Sequence, residues 1–171
     1  EEVSKIKHQL IIDPSFSFGS GHHESTRGCI EMIEKYIKES DEALDIGCGS
    51  GVLGMVASSL GAIVDMCDTD KDALSEAIKN FKTNNLQYRD AFVGSASLAS
   101  GKYDLICANI IADVLILIKK DMISLLKKDG VLIMSGIIDT RYETLKEKFS
   151  ELRFLELKNE NGWNTVVFKR G

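Results

Sequence analysis

Residues 44–54 read LDIGCGSGVLG, and no other stretch limits the possible folds so sharply. A short run ending at Ile46 meets three alternating glycines, Gly47, Gly49 and Gly51, and a helix-like segment follows at 51–61. Glycines at a strand-to-helix junction permit a tight turn and let a ligand approach the backbone. The rest of the chain keeps the same alternation. Strand-like runs stand at 62–68, 90–95, 103–110 and 130–137, separated by helical periodicity at 71–85, from 111 through Leu126, and at 141–152. The amphipathic segment 71–85 places Leu74, Ile78 and Phe81 on one face. Two last runs, 154–159 and 163–170, flank Asn161-Gly162, a strong hairpin signal. Five strands alternating with helices imply a parallel sheet covered on both faces, with a C-terminal antiparallel hairpin added to it.

The glycine turn admits two frames. Residues 49–54 spell G-x-G-x-x-G, the dinucleotide fingerprint, but that frame begins late relative to the end of the strand. The frame from Gly47 is G-x-G-x-G preceded by Asp45, the pattern of Rossmann-like S-adenosylmethionine-dependent methyltransferases. Asp68 ends the second strand, 21 residues after Gly47. A carboxylate there has two oxygens suited to the vicinal hydroxyls of a ribose. Asp70, just past the turn, reads instead as the cap of the helix that starts near Lys71.

Composition agrees with a single globular unit. The chain has 171 residues, 44% hydrophobic and 27% charged, with a net charge of −5. That charge gives no basic stripe for nucleic acid. No apolar run of membrane-spanning length and no signal peptide is present, so neither membrane insertion nor export is expected. Cys29, Cys48, Cys67 and Cys107 are scattered and form no CxxC pair. They read as reduced, buried small hydrophobes of a cytoplasmic protein.

The stretch FSFGSGHHESTRG, 16–28, fits neither strand alternation nor a helical stripe, yet it keeps two phenylalanines. A helix with Ile30, Ile33 and Ile37 follows it, and Ser25 or Thr26 is the expected cap. Adjacent His22 and His23 lack the acidic or thiol spacing of a metal site, and no metal is expected.

Taken in order, these pieces resemble the PrmA-type ribosomal protein methyltransferases across nearly the whole chain. The resemblance rests on DPSFSFGSGHHESTRGC, LDIGCGSGVL, DTDKDAL, ANIIADVL, SGII and GWNTVVFKR. It implies a Rossmann-like class I S-adenosylmethionine-dependent methyltransferase fold over residues 1–171, standing as a catalytic domain without the family's amino-terminal substrate-recognition domain. It implies S-adenosylmethionine as cofactor and a protein substrate, a large-subunit ribosomal protein methylated on lysines or its amino terminus. The loop carrying Phe16, Phe18, Gly19 and Gly21 is implied to fold over the cofactor, and Thr26 to touch it. Asp45, Gly47, Gly49, Asp68 and Ser95 complete the implied cofactor site. Ser95 stands where many methyltransferases carry an acid for the adenine amine. Asn109, at the end of the fourth strand, is implied to touch the cofactor and to orient the acceptor amine.

Departures from the family pattern are Glu24 and Ser25, where proline and threonine are usual. Three alternatives remain open: methylation of another protein, RNA or a small molecule; a nicotinamide-binding oxidoreductase domain; and a non-catalytic cofactor-binding module. ANIIADVL lacks the prolines and aromatic that base-amine methyltransferases place after this Asn or Asp, which disfavours stacking of a flipped base.

Overall fold

The computed structural model describes residues 9–12 and 23–171. Seven strands form one sheet in the order β3-β2-β1-β4-β5-β7-β6. They are β1 (Glu42–Ile46), β2 (Ile63–Asp68), β3 (Asp90–Val93), β4 (Tyr103–Asn109), β5 (Leu126–Ile138), β6 (Arg153–Glu160) and β7 (Trp163–Lys169). The pairings among β1–β5 are parallel, and β7 runs antiparallel to both β5 and β6. The hairpin turn at Asn161-Gly162 has φ of 52° and 83°, the doubly positive pair of a type I′ turn, as the Asn-Gly signal requires. Alternation alone does not reveal that the returning strand inserts between β5 and β6.

Period-two patterning builds a core on each face. Ile106, Ala108, Leu132, Met134, Val166 and Phe168 pack on one side with α4 (Ala112–Leu117), α5 (Lys119–Leu125) and α6 (Asp139–Lys148). Leu105, Cys107, Ile133 and Val167 pack on the other with α1 (Glu24–Tyr36), α2 (Val52–Ser59) and α3 (Lys71–Thr83). Both faces of the central strands are therefore dry, which explains their near-continuous apolar runs.

Two local expectations need correction. The cap of α1 is His23, whose Nδ1 accepts from Ser25 N at 3.1 Å and from Ser25 Oγ at 2.7 Å. Ser25 and Thr26 are instead buried within the first turn. The segment after β4 is two short helices rather than one. A 3₁₀ turn, Ala96–Leu98, follows β3. Asp70 caps α3 as expected, accepting from Asp72 N at 2.9 Å.

At the far, amino-terminal edge of the sheet, Asp65 is 5% exposed. Arg89 binds it at 2.7 and 3.0 Å, and Tyr103 Oη donates to it at 2.7 Å. That buried carboxylate is fully engaged in tying β2 to β4.

Candidate active site

In a sheet of this order the chain winds outward in one direction through β1, β2 and β3, and in the other through β4 and β5. The loops after β1 and β4 diverge, opening a crevice at the carboxyl ends of the strands, where open α/β sheets bind ligands. A cleft of about 410 Å³ lies there, lined by Gly47, Gly49, Asp68, Asp72, Glu76 and Asn109 among others. That size falls within the usual range for small-molecule sites.

Gly47 and Gly49 have φ of +65° and +52°, a conformation that disfavours side chains. A Cβ at Gly47 would stand 2.7 Å from Ile110 Cγ2 across the cleft. The turn is braced from two sides. Asp68 Oδ2 accepts from Gly49 N at 2.9 Å, and Asp68 Oδ1 accepts from Asp70 N at 2.8 Å. Each oxygen keeps a further lone pair beside the cleft. Asp45, 2% exposed, lies behind the turn, where its Oδ2 accepts from Gly54 N at 3.0 Å and Cys107 Sγ donates to Oδ1 at 3.8 Å. Burial above all, with the Asp68 charge acting the same way, pushes the Asp45 carboxyl up to about 7. Burial also raises all four thiols above the ordinary thiol range, which leaves them inert, space-filling groups.

On the opposite wall, Asn109 closes β4 in register with Ser135 of β5. Its Nδ2 donates to Thr26 Oγ1 at 3.3 Å, and its buried Oδ1 has no partner among the described residues. Gly136, at φ +80°, makes room for that amide, since a Cβ there would lie 3.0 Å from both Asn109 Oδ1 and Ile110 O. His23 packs edge-on against Trp163, with ring centroids 4.8 Å apart, so the start of α1 is held to the tip of the hairpin.

Gly47, Gly49, Asp68 and Asn109 are thus brought together around one cleft. Thr26 reaches the cleft only through Asn109, because it is fully buried. Asp45 sits behind the glycine turn, and Ser95 stands past β3 at the start of the 3₁₀ turn, outside the lining. Phe16, Phe18, Gly19, Gly21 and His22 lie outside the described residues. Sequence reasoning missed Asp72 and Glu76. Their i, i+4 spacing in the first turns after Asp68 was the available signal, since it places both on the helix face turned toward the strand end. Among the described residues, no group of three or more His, Cys, Asp or Glu is placed to hold a metal ion.

The strand order and this crevice define the Rossmann-like fold of class I S-adenosylmethionine-dependent methyltransferases. The model of the family described as ribosomal protein L11 methyltransferase (PrmA) matches residues 1–171, and the chain belongs to that family. A ribosomal protein L11 methyltransferase of Nitratiruptor sp. is 48% identical over 168 residues, covering 98% of this chain and 60% of the relative. The crystal structure of ribosomal protein L11 methylase from Lactobacillus delbrueckii subsp. bulgaricus superposes with a TM-score of 0.90 at 25% identity, over 99% of this chain and 88% of that one. The T. thermophilus 16S rRNA methyltransferase RsmC, solved with AdoMet and guanosine, shares the fold at 19% identity and a TM-score of 0.74, over 91% of this chain and 45% of that one. The chain spans about 60% of the length of the curated relatives it matches. The family assignment removes the nicotinamide alternative.

Proposed function

We propose that residues 1–171 form the catalytic domain of a cytoplasmic S-adenosylmethionine-dependent N-methyltransferase that modifies amines, lysine side chains or an amino terminus, of a large-subunit ribosomal protein. The observation that carries this reading is Asn109, which lines the same cleft as the glycine turn and carries a buried Oδ1 without a partner among the described residues. The relatives are named for the same substrate, and the related RsmC was solved with AdoMet, which supports the cofactor class.

The residues present fit that cofactor. Gly47 and Gly49 offer bare backbone, and Asp68 keeps free lone pairs for a ribose diol. S-adenosylmethionine supplies an electrophilic methyl group carried on a sulfonium. What the chain must add is orientation and a neutral acceptor, because proximity supplies most of the acceleration in such a transfer. A lysine amine with pKa near ~10.4 is neutral at pH 7 only about once in 2,500, a cost of about 4.6 kcal/mol. Asn109 Oδ1 accepts one N–H of the neutral amine and turns its lone pair into the cleft. Desolvation against the wall of Ile110 favours that neutral form. The proton leaves to solvent; among the described residues, the acidic groups of the lining are the carboxylates of Asp68, Asp70, Asp72 and Glu76.

Titration calorimetry with S-adenosylmethionine and, separately, NAD tests the cofactor reading. Binding of the first alone is the expected result. Binding of NAD alone, or of neither, would overturn it.

A further inference from the structure

We propose that the exposed aliphatic edge formed by Ile111, Val114, Leu117 and Ile138 is the surface on which the acceptor protein docks, and that the docking segment is basic with apolar side chains. The inference rests on the N-methyltransferase reading above and names how its substrate is held.

Four of the ten large hydrophobics exposed among the described residues belong to this edge: Ile111 (64%), Val114 (36%), Leu117 (81%) and Ile138 (45%). Ile111, Val114 and Leu117 recur every three residues through α4, so they share one side of the helix. The opposite side buries Ala112 and Leu115 in the core. The outer side of α4 is thus largely apolar, broken by the exposed Asp113 that pairs with Arg141. The outer face of α3 differs, carrying Lys71, Ser75, Lys79 and Lys82. A salt bridge between Arg141 and Asp113 ties the first turn of α6 to that of α4, and Ile138 immediately precedes α6. Exposed apolar side chains grouped on one short segment, rather than scattered singly, mark an interaction site.

The edge is continuous with the cleft. Ile111 follows Ile110, which lines the cleft beside Asn109. Beyond Asp68, which the cofactor reading takes for the ribose, the facing wall carries Asp70, Asp72 and Glu76, and no lysine or arginine lines the cleft among the described residues. Those two properties select the occupant. A small acceptor would fit within the cleft and leave the edge unused. A nucleic acid would bring phosphates to these carboxylates, where binding relies on cations. A second copy of this chain, at net charge −5, would bring like charge. A basic polypeptide satisfies both the acidic wall and the aliphatic edge.

The test compares the parent with Leu117→Lys and Leu117→Glu, with ribosomal protein L11 as substrate. Position 117 is 81% exposed, so neither variant disturbs the core. Leu117→Lys should raise KM for the protein about tenfold with kcat and cofactor affinity unchanged, and Leu117→Glu should raise it less, since it keeps the favourable charge. Direct binding of the ribosomal protein, measured with S-adenosylhomocysteine present, should weaken in the same order and needs no turnover. Equal KM and equal binding in all three proteins would overturn the proposal, as would a parallel fall in cofactor affinity. A defect seen only in a longer polypeptide carrying further native sequence would also overturn it, because the edge would then be covered by that sequence. If the parent neither binds nor methylates the ribosomal protein while binding S-adenosylmethionine, the substrate reading itself fails. That outcome is distinct from an active parent matched by active variants.

Discussion

Asn109 and Thr26 stand 83 residues apart in sequence, yet the amide of the first donates from Nδ2 to the hydroxyl of the second at 3.3 Å. This bond joins the end of β4 to the first turn of α1 and engages the Nδ2 end of the amide. Nδ2 is engaged, and Oδ1 is left free to accept. An acceptor oxygen suits a neutral amine, whose N–H donates while its lone pair attacks.

On the proposed reading Thr26 is a positioning residue for Asn109. Thr26→Val keeps the shape and removes the acceptor for Nδ2, so kcat should fall about tenfold, equivalent to about 1.4 kcal/mol. Cofactor affinity should stay near that of the parent, and Thr26→Ser should restore the rate. Steady-state kinetics beside calorimetry separates this from a direct cofactor contact. A loss of affinity with kcat preserved would point to the contact instead.

Asp68 braces the glycine turn as well as facing the cleft. Asp68→Ala should weaken S-adenosylmethionine binding by about 1.5–3 kcal/mol, the usual cost of losing hydrogen bonds to a charged group. The two amides it releases, Gly49 N and Asp70 N, are close enough to solvent to rehydrate, so melting should change little. Unchanged affinity would confine the carboxylate's role to the turn.

Asp45 gives stability a definite pH dependence. Its carboxyl is raised in the fold from 3.8 to about 7, so the native state holds a proton that the unfolded chain releases. The contribution is full below pH 3.8 and is lost as pH rises through about 7, where the curve flattens. Asp45→Asn stays neutral throughout. The melting temperature of the parent, relative to this variant, should fall as pH rises across that window. A difference independent of pH would show that the carboxyl titrates in the fold as it does in the unfolded chain.

Gly28 sets how closely α1 approaches the sheet. A Cβ there would lie 2.1 Å from Thr165 Oγ1 on β7. Gly28→Ala should cost about 1–3 kcal/mol through overpacking, or roughly 2–9 °C in melting temperature for a domain of this size. Adding Thr165→Ala should recover part of the loss. Thermal melts of the two variants check both statements.

Much of this site was legible in sequence because its signals are local. Gly47, Gly49 and Asp68 announce themselves by spacing within 21 residues, and Asn161-Gly162 announces the hairpin. The remainder depends on contacts between distant segments. The burial of Thr26 against Asn109 is invisible without the fold. So is the insertion of β7 between β5 and β6, because the hairpin signal fixes a turn and not a neighbour. The cap of α1 was misread because Ser25 and Thr26 are stronger intrinsic caps than His23. Tertiary packing against Trp163 prevails over that preference. Asp45 has the residue type of a ligand contact, and only its burial reveals that it supports the turn from behind.

The most direct measurement is methyl transfer from isotopically labelled S-adenosylmethionine to ribosomal protein L11, by the parent and by Asn109→Ala, with the modified atom located by mass spectrometry. The parent should place methyl groups on amine nitrogens. Asn109→Ala should hold S-adenosylmethionine within about threefold of the parent affinity yet lose about a hundredfold in kcat, the scale seen when a polar group aimed at the reacting centre is removed. Label on any atom other than an amine nitrogen, or an Asn109→Ala variant that turns over at the parent rate, would contradict the assignment of this cleft as an amine methylation site.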